Sequence, residues 1–179
     1  VYIREKEREI SQSFNIFYNN SNSMNFSSKK ELMSKLDFTR LLILSISIIL
    51  IKKGEKILFE KDIKKNTKQF YNMNSINEIL FDMHHNFDYK SILEVKPKSQ
   101  IIFFSDLYID SSEIEHLLNT LSSKEIKGTI VQILDPIEKL LPFRGNLSFE
   151  SLEDKKVHNI SDLEAVKDEY YSMLQKHKT

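Results

Sequence analysis

Apolar and polar positions along the chain alternate between two spacings. Short apolar runs at Phe14–Tyr18, Gln100–Phe104 and Thr129–Leu134 have the length and the β-branched and aromatic content of buried strands. Lys56–Glu60 reads as another strand, with Asp62–Lys65 as its candidate hairpin partner, and Leu147–Phe149 as a short one. Between the strands the apolar positions shift to helical spacing. Phe70, Met73, Ile76, Ile79, Leu80 and Met83 mark a helix over Gln69–His84. Ser112 and Glu115 form a capping box ahead of Ile114, Leu117, Leu118 and Leu121, which fall on one helical face. Leu32 to about Lys53 predicts a further helix, with Gly54 where a C-terminal cap belongs. Asp88–Val95 predicts a short helix, and Ser161 with Glu164 opens a last one to about Lys176. Gly128 closes the turn before Thr129, Asp135-Pro136 starts an irregular segment through Gly145, and the charged first ten residues read as a lead-in. Strands alternating with helices over short connections predict an α/β fold: a mostly parallel sheet with helices on both faces.

The most apolar stretch is Leu41–Ile51. It is too short to cross a bilayer, which takes about 20 residues, and it lies too far inside the chain for a signal peptide. A helix buried on most sides is expected there, although the β-branched content would also suit a buried strand.

Composition narrows the function classes. The chain has 179 residues, enough for one domain and one sizeable core. Lys+Arg and Asp+Glu both number 26, so there is no basic footprint for nucleic acid or an anionic membrane. No cysteine is present, which excludes disulfides, thiolate zinc sites and a cysteine nucleophile, and leans towards the cytoplasm. Three glycines leave no room for GxGxxG or a phosphate-binding P-loop. The first residue is Val, so the chain reads as a fragment of something longer.

Candidate chemistry sits at two strand ends. The loop Asn19-Asn20-Ser21-Asn22-Ser23-Met24 follows the first apolar run, and Ser105-Asp106-Leu107 follows the run Ile101–Phe104. In open α/β sheets ligands bind at the carboxyl edge of the strands. His84-His85 is less promising, because adjacent helical residues do not face each other. Asp106 with Asp110 could hold Mg²⁺ for phosphoryl transfer, as in a phosphoesterase or nuclease; otherwise Asp106 holds a loop and Asp110 precedes the next helix. Phe143 and Phe149, flanking Arg144, are expected to pack inward and pin the irregular segment.

Several pieces in order resemble one family. YIREKERE resembles its stretch before the first strand, FNIFYNNSNSM its first strand and Asp-x-Ser-x-Ser loop, KLDFTRLLILSISIILIKKGEKILF its first helix and second strand, and IIFFSDL its fourth strand. The most specific piece is LDPIEKLLPFRGNLSFESLE, with Asp135, Pro136, Glu138, Pro142, Phe143, Gly145, Phe149, Leu152 and Glu153 in place. The chain thus resembles the bacterial MoxR-associated von Willebrand factor A-like family, domain of unknown function 58. The resemblance stops at Thr179, where members usually continue with another strand and helix.

The resemblance implies a Rossmann-like von Willebrand A domain over residues 1–179, acting as a binding module. In that fold a divalent ion is held by Asp, Ser and Ser of the first loop, Thr of a second and Asp of a third, and an acidic partner side chain completes the shell. Here Asn19 stands in place of the first Asp, Ser21 and Ser23 are retained, and Asp106 takes the third-loop place. The Thr would fall near His84–Asp88, which has none. With one carboxylate at these positions, the expectation is a degenerate site with no cofactor, or weakly bound Mg²⁺ or Mn²⁺. The resemblance implies a MoxR-type AAA+ ATPase, or its client protein, as partner. With no complete catalytic set in the sequence no enzymatic activity is expected, and the charge balance and the short apolar run lead to an expectation of no nucleic acid and no membrane insertion. The contrasting reading is the metal-dependent phosphoesterase using Asp106 and Asp110; a third is a decayed structural remnant.

Overall fold

A computed structural model describes residues 12–65, 71, 73–82, 87–109, 111–150, 152, 155–160, 166–168 and 170–172. Its centre is a four-stranded parallel sheet. The strands are β1 (Ser13–Tyr18), β2 (Lys56–Phe59), β3 (Gln100–Ser105) and β4 (Lys127–Gln132), in the order β2-β1-β3-β4. The helices are α1 (Lys35–Lys52), α2 (Glu60–Lys65), α3 (Met73–Leu80), α4 (Lys90–Leu93), α5 (Ser111–Ser123) and α6 (Pro136–Leu140). A separate antiparallel hairpin pairs β5 (Leu147–Glu150) with β6 (Val157–Ile160). Residues 166–168 and 170–172 are helical.

Both faces of the sheet are covered, as the alternation of strands and helices predicts. On one face Ile16, Tyr18, Ile57, Phe59 and Phe104 pack with Leu36, Ile43 and Leu50 of α1 and Ile76, Ile79 and Leu80 of α3. On the other, Phe17, Ile101 and Phe103 meet Ile92 of α4 and Leu117 and Leu121 of α5. Successive strand residues point to opposite faces, and the central strands β1 and β3 are largely apolar on both, which is why they read as apolar runs. β4, at the sheet edge, is not the buried strand expected at Thr129–Leu134, its residues being exposed or half-buried. The chain is therefore Rossmann-like α/β. Among the described residues no helix is long and apolar enough to cross a membrane.

Helix α1 begins at Lys35, later than the expected Leu32, because Ser34 caps it by accepting a hydrogen bond from the Asp37 N–H. It ends as Gly54 requires. Gly54 has φ +77°, and the Gly54 and Glu55 N–H groups donate to Ile51 and Leu50 carbonyls, a Schellman closure. The expectation that this helix is buried on most sides is corrected. Leu36, Thr39, Ile43, Ser47 and Leu50 face the sheet, while Phe38, Leu41, Ile48, Ile49 and Ile51 are exposed. Apolarity all round the helix hides its orientation. The residues that meet the sheet include small Thr39 and Ser47, both fully buried, with the Thr39 hydroxyl donating to the Lys35 carbonyl.

Other expectations are corrected too. Asp62–Lys65 is not a hairpin strand but part of α2, where the Asp62 carboxylate accepts from the Phe59 N–H and the Tyr71 hydroxyl. Gly128 does not close a turn: it lies within β4 opposite Ile101, and an added Cβ would come within 2.6 Å of Ile101 Cγ1. Ser112 lies inside α5 and not at its cap, and Leu118 on that helix is exposed. The segment after Asp135 is not wholly irregular, because it contains α6. Phe143 and Phe149 pack edge-on against each other, half-buried, and are not core residues. The predicted short helix at Asp88–Val95 is confined to α4. The lead-in, the Ser161–Glu164 capping box, Phe70 and Met83 lie outside the described residues.

Candidate functional site

The strand order puts the chain's topological switch between β1 and β3: β1 leads to β2 on one side, and β3 leads to β4 on the other. The two candidate loops leave the sheet side by side at this crevice. The Asn19 N–H donates to the Phe104 carbonyl at 2.8 Å, continuing the β1–β3 ladder into the loop. The Ile133 N–H likewise continues the β3–β4 ladder to the Ser105 carbonyl at 2.9 Å.

All four predicted site residues converge here. The Asn19 side-chain oxygen accepts from the Ser21 N–H at 2.9 Å, and its amide nitrogen donates to Asp106 Oδ1 at 3.3 Å. Ser23 Oγ donates to Asp106 Oδ2 at 2.7 Å. Because that uses the Ser23 proton, Ser21 is the donor in the 3.0 Å contact between the two hydroxyls. Residues 22–25 form a turn of 3-10 helix that brings Ser23 back over the site and buries Met24. Asn20 reaches the neighbouring loop, its side-chain oxygen accepting from the Phe87 N–H at 3.0 Å.

The third loop is strained. Leu107 has φ +61°, a left-handed conformation that is costly for a residue with a Cβ. It is held by the Leu107 N–H donating to Ser105 Oγ at 3.0 Å and by burial of the Leu107 side chain. Asp106 is thereby turned inward, 1% exposed. His84 and His85 lie outside the described residues, as does Asp110, so neither the histidine pair nor the Asp106–Asp110 pair is placed.

Sequence reading missed the group that dominates the site. Lys35, first residue of α1, is buried, with its ammonium 3.1 Å from Asp106 Oδ2 and 2.7 Å from Glu138 Oε1. The ammonium also lies 5.1 Å from the centre of the Tyr108 ring. Tyr108 donates to the Tyr170 hydroxyl at 3.0 Å, which donates to the Glu138 carbonyl at 2.8 Å. Burial, the Tyr170 hydrogen bond and the nearby Glu138 and Asp106 carboxylates push the Tyr108 phenol up, so it stays protonated.

Glu138 is itself fixed by a capping box. Asp135 accepts from the Ile137 N–H at 2.9 Å, and Glu138 Oε2 accepts from the Asp135 N–H at 2.8 Å, leaving Oε1 for Lys35. The other Asp135 oxygen accepts from the Ser28 N–H, tying α6 to the first loop. Burial pushes the Asp135 carboxyl up, but hydrogen bonds from Ser28 and Ile137 and the Lys35 charge outweigh it and hold the group below the usual range.

Two signals could have found these residues. A cation at a helix N-terminus opposes the macrodipole, so Lys35 needed an acidic partner. Asp135-Pro136-Ile137-Glu138 has the spacing of a capped helix start, with Pro in the first position.

As arranged, the donor set does not fit a divalent ion. Among the described residues Asp106 is the one carboxylate of the two loops, its Oδ2 is held by the Lys35 ammonium, and the Asn19 oxygen already accepts from the Ser21 N–H. An ion about 4 Å from the ammonium would meet a repulsion of about 8 kcal/mol at an effective dielectric of about 20. A cavity of about 70 Å³ lies elsewhere, lined by Tyr18, Phe59, Glu60, Ile79 and Asp82 among others, and Asp106 does not border it.

No curated protein and no solved structure matches the chain. A family model does, that of protein of unknown function DUF58, over residues 1–179. With its whole length matched, the chain belongs to the DUF58 family.

Proposed function

We propose that the chain is a non-enzymatic protein-interaction module of the von Willebrand A type, serving as adaptor or accessory factor of a MoxR-type AAA+ ATPase in the bacterial cytoplasm. One observation carries the reading most. The first and third loops meet at the switch point, where α/β sheets bind ligands, and among the described residues Asn19, Ser21, Ser23 and Asp106 bond to one another there. The resemblance in the motif series supplies the partner class. The contact surface would be Asn19–Asn25, His84–Asp88 and Asp106–Ser111. Pull-down against the cognate ATPase, with and without Mg²⁺, is expected to retain the chain; no retention in either condition would defeat the adaptor role. The module is also expected to turn over no generic phosphoester. Turnover that disappears in Asp106→Ala would replace this reading with the phosphoesterase.

A further inference from the structure

We propose that the Lys35 ammonium is the resident cation of the Asp106 site, standing where the resemblance would put a divalent ion, and that Asn19 and Glu138 adjust the surrounding charge to it. The ammonium contacts Asp106 Oδ2, the same oxygen that Ser23 holds. It is buried with the carboxylate, the two side chains being 2% and 1% exposed, so each charge depends on the other for compensation.

Among the described residues of the first and third loops Asp106 is the one carboxylate, and it is paired with the ammonium; Glu138 adds a second from outside the two loops. Asn19 in place of Asp removes one negative charge, and its amide then donates to Asp106 Oδ1. An Asp at 19 would put two carboxylate oxygens against each other at that contact, with no second positive charge to separate them. Glu138 supplies the outer carboxylate, at 2.7 Å, from within the chain itself. That is the part an acidic partner group plays in a metal-bridged complex, so α6 closes the site over its own cation. Two N–H donors of Lys35 are used by the carboxylates, and the remaining face of the ammonium lies towards the Tyr108 ring.

The inference goes beyond the adaptor reading and stands or falls without it, since its test involves no partner. Thermal melts of the wild-type chain are expected to be unchanged between EDTA and millimolar MnCl₂, and Mn²⁺ EPR should show no protein-bound ion. In EDTA, Lys35→Ala should melt about 6–20 °C lower, having left buried carboxylates unpaired. MnCl₂ at about a hundredfold excess over its dissociation constant should then raise that melt by about 5–10 °C. Adding Asn19→Asp to Lys35→Ala should tighten Mn²⁺ binding further. Saturable Mn²⁺ binding to the wild type that Asp106→Asn abolishes would overturn the proposal, as would a folded Lys35→Ala that Mn²⁺ does not stabilise. If Lys35→Ala does not fold in EDTA, its refolding with MnCl₂ supports the proposal and failure to refold counts against it. The wild-type EPR measurement decides independently of any variant.

Discussion

Replacing Asp106 by Asn tests how much the fold depends on the ion pair at its switch point. Both oxygens of this carboxylate accept: Oδ1 from the Asn19 amide and the Tyr108 N–H, Oδ2 from Ser23 and Lys35. An amide nitrogen placed at either position would meet donors, so Asn removes the charge and also breaks the hydrogen-bond pattern. Removing one member of a buried pair typically costs about 3–5 kcal/mol. Glu138, 17% exposed, still compensates Lys35 in part, which places the expected loss near the lower end, about 3 kcal/mol. With a urea slope of about 1–3 kcal/mol/M, the midpoint should fall by about 1–3 M at unchanged slope. Lys35→Met alone should cost about 3–5 kcal/mol. The double variant should lose less than the sum by at least about 2 kcal/mol, because the second substitution removes the charge that the first left unpaired. A loss in Asp106→Asn below about 1 kcal/mol, the range of surface pairs, would refute the reasoning. So would single-variant losses that add within about 0.5 kcal/mol.

Gly128→Ala should cost about 1–3 kcal/mol in the same urea assay, since its Cβ would fall 2.6 Å from Ile101 Cγ1 inside the sheet; an unchanged midpoint would show that β3 and β4 can part more easily than their packing implies. Burial pushes the Tyr18 phenol up to about 12, with Arg40 opposing and Asp82 and Glu60 reinforcing. The folded state thus holds this proton more tightly than the unfolded chain. The stability it contributes is complete below pH 10 and fades as pH rises towards about 12, a loss that Tyr18→Phe should lack; tyrosinate absorbance showing Tyr18 ionised near pH 10 would contradict this. Asp135 has the opposite sign: its folded carboxyl is held low, so its contribution is present above the ordinary value of 3.8 and is lost as pH falls through the folded value. Asn can keep the cap to Ile137, but its amide nitrogen would face the Ser28 N–H, so Asp135→Asn loses the charge and one hydrogen bond; its deficit in melting temperature should shrink on acidification without vanishing, and a deficit constant with pH would count against the assignment.

The parts of the fold legible in the sequence are those whose signals are local. β1 and β3 announce themselves because strands buried on both faces are apolar at most positions, the buried Asn15 being answered by the Gln100 carbonyl, and Asn19 and Asp106 follow where those runs stop. Their meeting was predictable because parallel strands share one carboxyl edge. Lys35 left one local sign, a cation at a helix start, but its partners were illegible, because they lie 71 and 103 residues away. The orientation of α1 was hidden for a different reason: an apolar stripe cannot be read on a helix that is apolar all round, and the sheet selected the side carrying Thr39 and Ser47. α2 was mistaken for a strand because the Asp62 side chain, and not a run of propensities, turns the chain after Phe59.

The first loop, the start of α1, the end of β3 and the cap of α6 come together only when the sheet is complete. Ser23, Asn19 and Lys35 reach Asp106 across 83, 87 and 71 residues, and Ser28 reaches Asp135 across 107. Contacts of such sequence separation close late in folding, after the chain has lost the entropy of the intervening loops. A chain cut before Asp106 or Asp135 lacks these contacts, so anything that recognises this surface also reads whether β3 and α6 have joined the sheet.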